Sequence, residues 1–268
     1  MESTTSYANT VIYIIEGLLV AFILINILKA RGGKRLFIRR IQGLNYIDDA
    51  VGRATEMGKP IAFSPGIGGL SILTLQALSV LTHVVRKAAR YGTRVIACVC
   101  DAMIYTIADE MCKDAYEAEN ASEFFNGNDI RFLSDSQFSY ASAFVGMLHR
   151  ERPAAVFLFG HYAAESLILA ENGQAVGGIQ IAGTPDTTQV PFFLATCDYT
   201  IIGDEYYAAG AYLSKEPTLL GSLVGQDYGK IVLIITIIIG IAAATCTALA
   251  PGSTAAQWLS THFLEYFK

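Results

Sequence analysis

Two long apolar segments frame the chain, and short apolar runs alternate with helical patterns between them. The first segment covers 10–28 and contains one ionisable residue, Glu16. The second covers 231–250, carries no charge and has Lys230 at its entrance. Each segment is long enough to cross a hydrocarbon core of roughly 30 Å as an α-helix. The pattern therefore predicts transmembrane helices over 10–28 and 230–250.

The region between these segments alternates strand and helix patterns. Its strand patterns are rich in β-branched and aromatic residues, at 60–64, 93–100, 129–134, 154–159, 177–183 and 199–203. Helical patterns follow at 69–90, 102–119, 137–151, 162–172, 187–196 and 204–213. This alternation is typical of a parallel sheet with crossover helices, and strands without polar alternation are typical of a sheet covered on both faces. We therefore predict an α/β fold, a Rossmann-like doubly wound parallel sheet domain over 59–229, inserted between two transmembrane helices.

The charge next to the first apolar segment predicts its orientation. The segment 29–58 is predicted to be a basic linker followed by an amphipathic helix over 41–57, and its basic residues are Lys29, Arg31, Lys34, Arg35, Arg39 and Arg40. The positive-inside rule places such a cluster in the cytoplasm. We expect an integral membrane protein with the main domain in the cytoplasm and the tails 1–9 and 251–268 outside, the second tail being amphipathic. A cleaved signal peptide is not expected, because residues 1–9 lack a positive leader.

Composition excludes several classes of function. The 268 residues are 53% hydrophobic and 16% charged with a formal charge of −5, which argues against a disordered chain and against a nucleic-acid-binding protein. The five cysteines form no C-x-x-C pair and are predicted to be buried in a reducing compartment. No metal site and no cofactor are predicted.

A glycine-rich turn follows the first predicted strand. Gly66, Gly68 and Gly69 could present backbone N–H groups to an anion at a helix N-terminus, but Ser71 stands where a dinucleotide fingerprint requires a third glycine. A tight turn that needs glycine dihedral angles is the alternative. Asp101, after the second strand, either contacts a ribose or caps the next helix.

His161 and Glu165 are the candidates for catalysis. They stand four residues apart at a predicted helix start, so they could share a face as a base and its orienting group or as two metal ligands. No H-E-x-x-H motif and no G-x-S-x-G motif accompanies them. An acidic residue in the first turn of a helix is favourable without any chemistry, so the sequence argues against an enzyme.

The composition of the helix predicted after the first strand indicates that copies of the chain assemble. From Ile72 to Val85 it contains no Asp, Glu, Lys or Arg, and one face carries Ile72, Gln76, Ser79 and His83. A helix without charge on any face is buried on every face, either against a second copy or within its own domain. Phe192 and Phe193 add aromatic surface typical of interfaces, and Glu16 inside a span usually faces a partner helix or water. We predict a homo-oligomer formed through both spans and the inner domain.

Three further segments carry a resemblance to a known family: CDAMIYTIADEMCKDAY at 100–116, RFLSDSQFSYASAFVGMLHRERPAAVFLFGHYAAESLILAENG at 131–173, and IQIAGTPDTTQVPFFLATCDYTIIGDEYYAAGAYLSKEP at 179–217. With them the chain resembles an uncharacterised family of prokaryotic two-span membrane proteins defined by a domain of unknown function. The resemblance implies a membrane-anchored domain without an assigned activity.

From these features we predict a membrane-anchored, self-assembling protein with a structural or scaffold role. Its partners are then the membrane and further copies of the chain. The alternative is a binder or enzyme for a phosphorylated or nucleotide-like small molecule at the carboxyl ends of the strands.

Overall fold

The computed structural model describes residues 10–32, 42–214 and 217–249. These residues form two compact units, one from the described parts of 1–38 and 215–268 and the other from 39–214. The predictions for the tail 1–9, for the basic residues between 33 and 41 and for the tail 251–268 lie outside the described residues.

The unit within 39–214 contains six strands and seven α-helices among its described residues. The strands are β1 (Ile61–Gly66), β2 (Val95–Val99), β3 (Ile130–Phe132), β4 (Ala155–His161), β5 (Ile179–Thr184) and β6 (Tyr199–Ile202). We number the helices after α1 (Thr10–Arg31) of the other unit: α2 (Gln42–Glu56), α3 (Ile72–Ala89), α4 (Ala102–Ala118), α5 (Gln137–Glu151), α6 (Glu165–Val176), α7 (Val190–Thr196) and α8 (Asp204–Ser214). Every strand and helix predicted in this region is present, with ends that differ by a few residues.

All strand pairs of the sheet are parallel, in the order β3-β2-β1-β4-β5-β6. The central strand β1 pairs Ile61 with Val95 of β2 on one side and with Ala155 of β4 on the other. The predicted α/β fold with a parallel sheet is therefore confirmed, and the strand order is that of doubly wound sheets.

Helices cover both faces of the sheet. Successive residues of each strand point to opposite faces, so each strand contributes to both cores. Phe63 and Phe157 point into a core shared with α2, α3, α4 and α8. Ala62 and Val156, their neighbours along the strands, point into a core shared with α5, α6 and α7. This two-sided burial explains why the strands read as apolar runs without alternation.

Helix α2 belongs to the α/β unit and does not lie in a linker. Ile47, Ala50, Val51 and Ala54 are buried in the core of the sheet, since their spacing places them on one face of a helix. The observed unit therefore begins before the predicted boundary at 59. It ends at Ser214, because residues 217–229, which we had assigned to the domain, form the first turns of a long helix.

The other unit pairs α1 with α9 (Pro217–Leu249), a helix of 33 residues. Three glycines spaced by four residues, Gly221, Gly225 and Gly229, lie against α1. A Cβ atom at Gly221 would be 2.5 Å from the Cα of Ile27, and one at Gly225 would be 2.6 Å from the Cα of Ile23. The two helices therefore approach each other closely and run antiparallel.

One helix among the described residues is long and apolar enough to cross a membrane, over Leu220–Ala242, with a mean hydropathy of 1.6. Only 11% of its most apolar window is buried, unlike the core helix of a soluble protein. The segment begins earlier than the predicted span at 230–250. Helix α1 covers the other predicted span, 10–28, and its crossing of a membrane stays a prediction.

Candidate functional site

The candidate site lies where the strand order reverses, between β1 and β4. Helix α3 follows β1 on one face of the sheet, and α6 follows β4 on the other face. In doubly wound sheets, ligands bind outside the carboxyl ends of the strands at such a point. Gly66 ends β1 and His161 ends β4, so two of the predicted site residues lie here.

The ends of β1 and β4 are held together at positions that only glycine fits. Gly66 pairs with His161, and the N–H of Ile67 donates to the carbonyl of His161 at 2.9 Å. Gly66 has φ +80° and Gly160 has φ +134°. A Cβ at Gly66 would collide with the carbonyl oxygen of His161, and one at Gly160 with that of Pro65. Strand pairing therefore accounts for Gly66 without any ligand.

The remaining glycines of the turn lie beside the other predicted site residues. A Cβ at Gly68 would be 3.3 Å from the Cβ of His161, and one at Gly69 would be 4.0 Å from Oδ2 of Asp101. The hydroxyl of Thr74 in α3 donates to the carbonyl of Gly69 at 2.8 Å and ties the turn down. The structure thus gathers the three glycines, Asp101 and His161 at one edge of the sheet.

Asp101 caps helix α4, which was one of its two predicted roles. Its Oδ1 accepts hydrogen bonds from the backbone N–H groups of Met103 at 2.7 Å and Ile104 at 3.1 Å. These bonds satisfy donors that the first turn of a helix leaves unpaired. The second oxygen, Oδ2, faces the turn at Gly69.

His161 pairs with Asp186 and not with Glu165, so the predicted pair is not formed. Nδ1 of His161 lies 2.6 Å from Oδ2 of Asp186, which follows β5, the strand next to β4. Both side chains are partly exposed, at 44% for His161 and 33% for Asp186. A carboxylate at Nδ1 fixes the orientation of the imidazole ring and leaves Nε2 as the nitrogen that this pair does not use.

Glu165 is fully buried at the start of α6. Its Oε1 accepts a hydrogen bond from the N–H of Ala163 at 2.9 Å, and its Oε2 accepts one from Nε2 of Gln137 at 2.6 Å. The carboxylate therefore turns back onto its own helix N-terminus and toward α5, which is the favourable placement of an acid without chemistry.

A buried hydroxyl network lies beneath the site, and our sequence analysis did not predict it. Ser64 of β1 is within 2.7 Å of the hydroxyl of Tyr140, and the hydroxyl of Tyr162 lies 3.0 Å from Ser64 Oγ. Tyr140 also donates to the carbonyl of Cys98 at 2.9 Å. Burial raises the pKa of Tyr140 and of Tyr162 well above its usual value, so both phenols stay neutral. A serine inside an apolar strand was the signal in the sequence.

The edge that carries the site is acidic. The loops that directly follow the six strands contain Asp101, Asp135 and Asp186 but no lysine or arginine. Burial raises the pKa of the Cys100 thiol, and the nearby carboxylates of Glu165, Asp101 and Asp135 raise it further. A negative potential without a cation to pair with disfavours the phosphorylated ligand that we considered.

The uncharged face of α3 is largely covered within the α/β unit. The Gln76 side chain lies against Gly210 of α8, and Nε2 of His83 lies 3.0 Å from Asp48 of α2. Burial lowers the pKa of His83, and the bond to Asp48 opposes this effect. Ser79 donates to the carbonyl of Leu75 in its own helix at 3.1 Å. The second prediction for this helix, a central helix covered by its own domain, therefore accounts for Gln76 and His83.

Of the predicted interface residues, Ile72 and Phe192 present an exposed side chain, at 70% and 39%. Phe193 is fully buried and packs edge-on against Tyr162, 5.3 Å between ring centroids, so it belongs to the core. Three further exposed apolar side chains follow the carboxyl ends of β1, β2 and β3, namely Leu70 before α3, Met103 in α4 and Phe138 in α5.

The last predicted site residue, Glu16, is exposed on α1. Within residues 10–32, 42–214 and 217–249, no group of three or more His, Cys, Asp and Glu side chains is arranged to hold a metal ion. Cys98, Cys100 and Cys112 are buried free thiols.

Comparison with known proteins gives a family. The chain matches a family described as Domain of unknown function (DUF6754) over residues 2–255. No curated protein and no solved structure matches it.

Proposed function

We propose that this chain, which belongs to the DUF6754 family, is an integral membrane protein that anchors an α/β domain through a two-helix hairpin and assembles with further copies of itself as a scaffold. The exposed apolar surface of the hairpin carries this proposal. On α9, seven isoleucines between 231 and 241 are exposed: Ile231, Ile234, Ile235, Ile237, Ile238, Ile239 and Ile241. An apolar surface of this extent is rarely left in water.

Helix α1 supports the same interpretation. Leu18, Val20, Leu24, Ile25 and Leu28 are exposed along it, and its 22 residues span about 33 Å, enough for a hydrocarbon core. Because the two helices run antiparallel, they form a hairpin that enters and leaves on the same side.

The basic residues support an assignment of the side of the membrane on which the α/β unit lies. Lys29 and Arg31 lie in the last turn of α1, and four further basic residues follow by position 40. The positive-inside rule then places the α/β unit in the cytoplasm and both ends of the chain outside. The resemblance noted above makes the cell membrane of a prokaryote the expected location.

Self-assembly is supported by the exposed apolar side chains at the carboxyl edge of the sheet. Leu70, Ile72, Met103 and Phe138 each lie just before or within the first turn of a helix that follows a strand. Helices α3 and α4 follow neighbouring strands and pack on one face of the sheet, so Leu70, Ile72 and Met103 form the proposed surface, and Phe138 begins α5 on the other face. Aromatic residues and methionine are typical of interfaces.

The test has two parts. Cells that express the full chain are fractionated, and we expect the protein to stay in the membrane pellet after alkaline carbonate extraction. The particle purified in mild detergent is then sized by light scattering, and we expect a multiple of the 28.9 kDa chain. Extraction by carbonate would contradict membrane insertion, and a monomer would contradict assembly.

A matched pair of variants tests the surface itself. Ile72→Glu adds a charge to the proposed surface, whereas Tyr91→Glu adds one after α3, at the opposite edge, where Tyr91 is 64% exposed. We expect Ile72→Glu to reduce the particle mass and Tyr91→Glu to leave it unchanged. Equal masses for both variants would place the assembly contacts elsewhere.

A second candidate function is favoured by the contact between His161 and Asp186. An imidazole held at Nδ1 by a carboxylate can accept a proton at Nε2, and the acidic loops favour a neutral or cationic small molecule. We would measure thermal shifts of the full chain with a panel of such compounds. His161→Gln should abolish a shift that His149→Gln, a change on the exposed part of α5, leaves intact. A panel without any shift, or a shift that survives His161→Gln, would refute this function.

A further inference from the structure

A cavity of about 260 Å³ lies between the second half of α2 and the end of α3. Its lining residues are Asp48, Val51, Gly52, Thr55 and Glu56 of α2, with Lys87 and Tyr91 at the end of α3. The α2 residues recur at steps of three and four, so they form one stripe along that helix. Tyr91 comes shortly before β2 begins, so the cavity lies at the edge of the sheet opposite the candidate site.

Gly52 keeps the α2 wall of this cavity open. A glycine inside a helix is less favourable than an alanine. Packing explains Gly43, near the start of α2, because a Cβ there would be 2.7 Å from Cγ1 of Ile201. A Cβ at Gly52 would meet no atom within 4 Å in the described part of the chain. Packing therefore does not account for Gly52, whose bare backbone borders the empty volume.

The cavity also holds a carboxylate without a partner. Asp48 is paired, because its Oδ2 accepts a hydrogen bond from Nζ of Lys87 at 3.1 Å and its Oδ1 lies 3.0 Å from Nε2 of His83. Among the described residues, the Glu56 side chain makes no ion pair and no hydrogen bond. Tyr91, which is 64% exposed, adds an aromatic ring to the same lining. A carboxylate and an aromatic ring both attract an ammonium ion.

We propose that this cavity binds a small primary ammonium compound with a short apolar body. The ammonium group contacts the Glu56 carboxylate and the Tyr91 ring, and the apolar body lies along Val51 and the backbone of Gly52. The volume is below the roughly 300–1,000 Å³ of pockets for drug-sized molecules, so the compound is small. This inference concerns the α/β unit alone and does not rest on membrane insertion or on assembly.

The probe is n-butylammonium chloride, which carries one ammonium group on a short alkyl chain. Proteolysis of the full chain in mild detergent along a temperature ramp follows unfolding of the α/β unit through fragments cut within 42–214. We expect about 20 mM n-butylammonium chloride to raise the melting temperature by about 2 °C or more above that in equal sodium chloride, which corresponds to a Kd of about 10 mM or lower. The neutral 1-butanol, which has nearly the same shape, should give no shift.

Three variants locate the site. Glu56→Gln removes the charge and keeps the shape of the side chain, and Gly52→Leu fills the cavity with a residue that favours a helix. We expect both variants to abolish the shift, while the melting temperature without n-butylammonium stays within about 1 °C of wild type for Glu56→Gln. Asp49→Asn changes an exposed residue of α2 that does not line the cavity, and it should keep the full shift.

Each outcome decides for or against the site. A wild-type chain that shows no shift, or an equal shift in 1-butanol, would overturn the proposal. A shift that survives Glu56→Gln would overturn it as well, since the cation would then bind elsewhere. If Gly52→Leu impairs folding, the comparison of Glu56→Gln with Asp49→Asn still decides. His161→Gln separates this site from the second candidate function: it should leave the shift intact, and loss of the shift would place the cation at the carboxyl edge of the sheet.

Discussion

Replacing Gly66 by alanine should lower the free energy of unfolding of the α/β unit far more than the same replacement at another glycine with the same backbone conformation. Gly177, at the end of α6, has the same φ of +80° but no atom within 4 Å of an added Cβ. Gly66 has that φ and also the carbonyl oxygen of His161 in the way. The comparison therefore separates the cost of the backbone conformation from the cost of the collision.

The two costs can be estimated separately. A left-handed conformation costs an L-residue roughly 1–2 kcal/mol, and forced overpacking in a rigid site costs about 1–3 kcal/mol. Gly177→Ala should thus lower the free energy of unfolding by about 1.5 kcal/mol, and Gly66→Ala by about 3.5 kcal/mol. For a unit of this size, the difference corresponds to a further drop in Tm of about 6 °C.

Proteolysis along a temperature ramp measures this difference in the full chain. Fragments cut within 42–214 report unfolding of the α/β unit alone, whatever the helical hairpin does. We expect the ranking wild type, Gly177→Ala, Gly66→Ala from most to least stable. If the two variants melt at one temperature, the approach of β1 to His161 is not rigid and our explanation of Gly66 is refuted.

Three other predictions follow from single contacts. Asp101→Ala should lower stability by about 1 kcal/mol through loss of the α4 cap, whereas Asp101→Ser should keep it; thermal melting of both variants decides. The hydrogen bond from Arg131 holds the pKa of Glu151 below its usual range, against the opposing effect of burial. This bond contributes stability above the unfolded pKa of about 4.3, and the contribution is lost as the pH falls through the lowered pKa of the folded state. The free energy of unfolding from urea titrations should therefore fall less steeply with acid for Glu151→Gln than for the wild type. An unchanged acid dependence would contradict the pair. Burial raises the pKa of Cys98 and of Cys112 to about 12, so alkylation at pH 8 should modify both only after unfolding, as mass spectrometry can show; modification in the folded chain would contradict their burial.

The α/β fold could be predicted because each strand and helix carries its own signal. The run around Phe63 is apolar on both faces, which indicates a strand covered twice. The pattern of Ile47, Ala50, Val51 and Ala54 indicates one buried helical face. What this pattern could not supply was the partner of that face, because the packing of α2 against the sheet joins residues far apart in sequence.

The position of the candidate site could be predicted from the sequence, but the contacts between its side chains could not. Helical spacing suggested a contact between His161 and Glu165, since periodicity relates residues within a single element. The actual partner, Asp186, follows a neighbouring strand, and its contact depends on how β4 and β5 align. The same limit applies to α3, whose uncharged face is covered by α2 and α8, elements that lie before and after it in the chain.

The pairing of Gly66 with His161 has a mechanical consequence for the α/β unit. Backbone hydrogen bonds join β1 and β4 almost to their last residues. The hydroxyls of Tyr140 and Tyr162 also contact Ser64 of β1. Proteins that close around a ligand do so by swinging two halves about a few compliant residues. In this unit the two halves of the sheet are joined by the pairing of β1 with β4, so they cannot separate along these strands. We expect the α/β unit to move as a single rigid body.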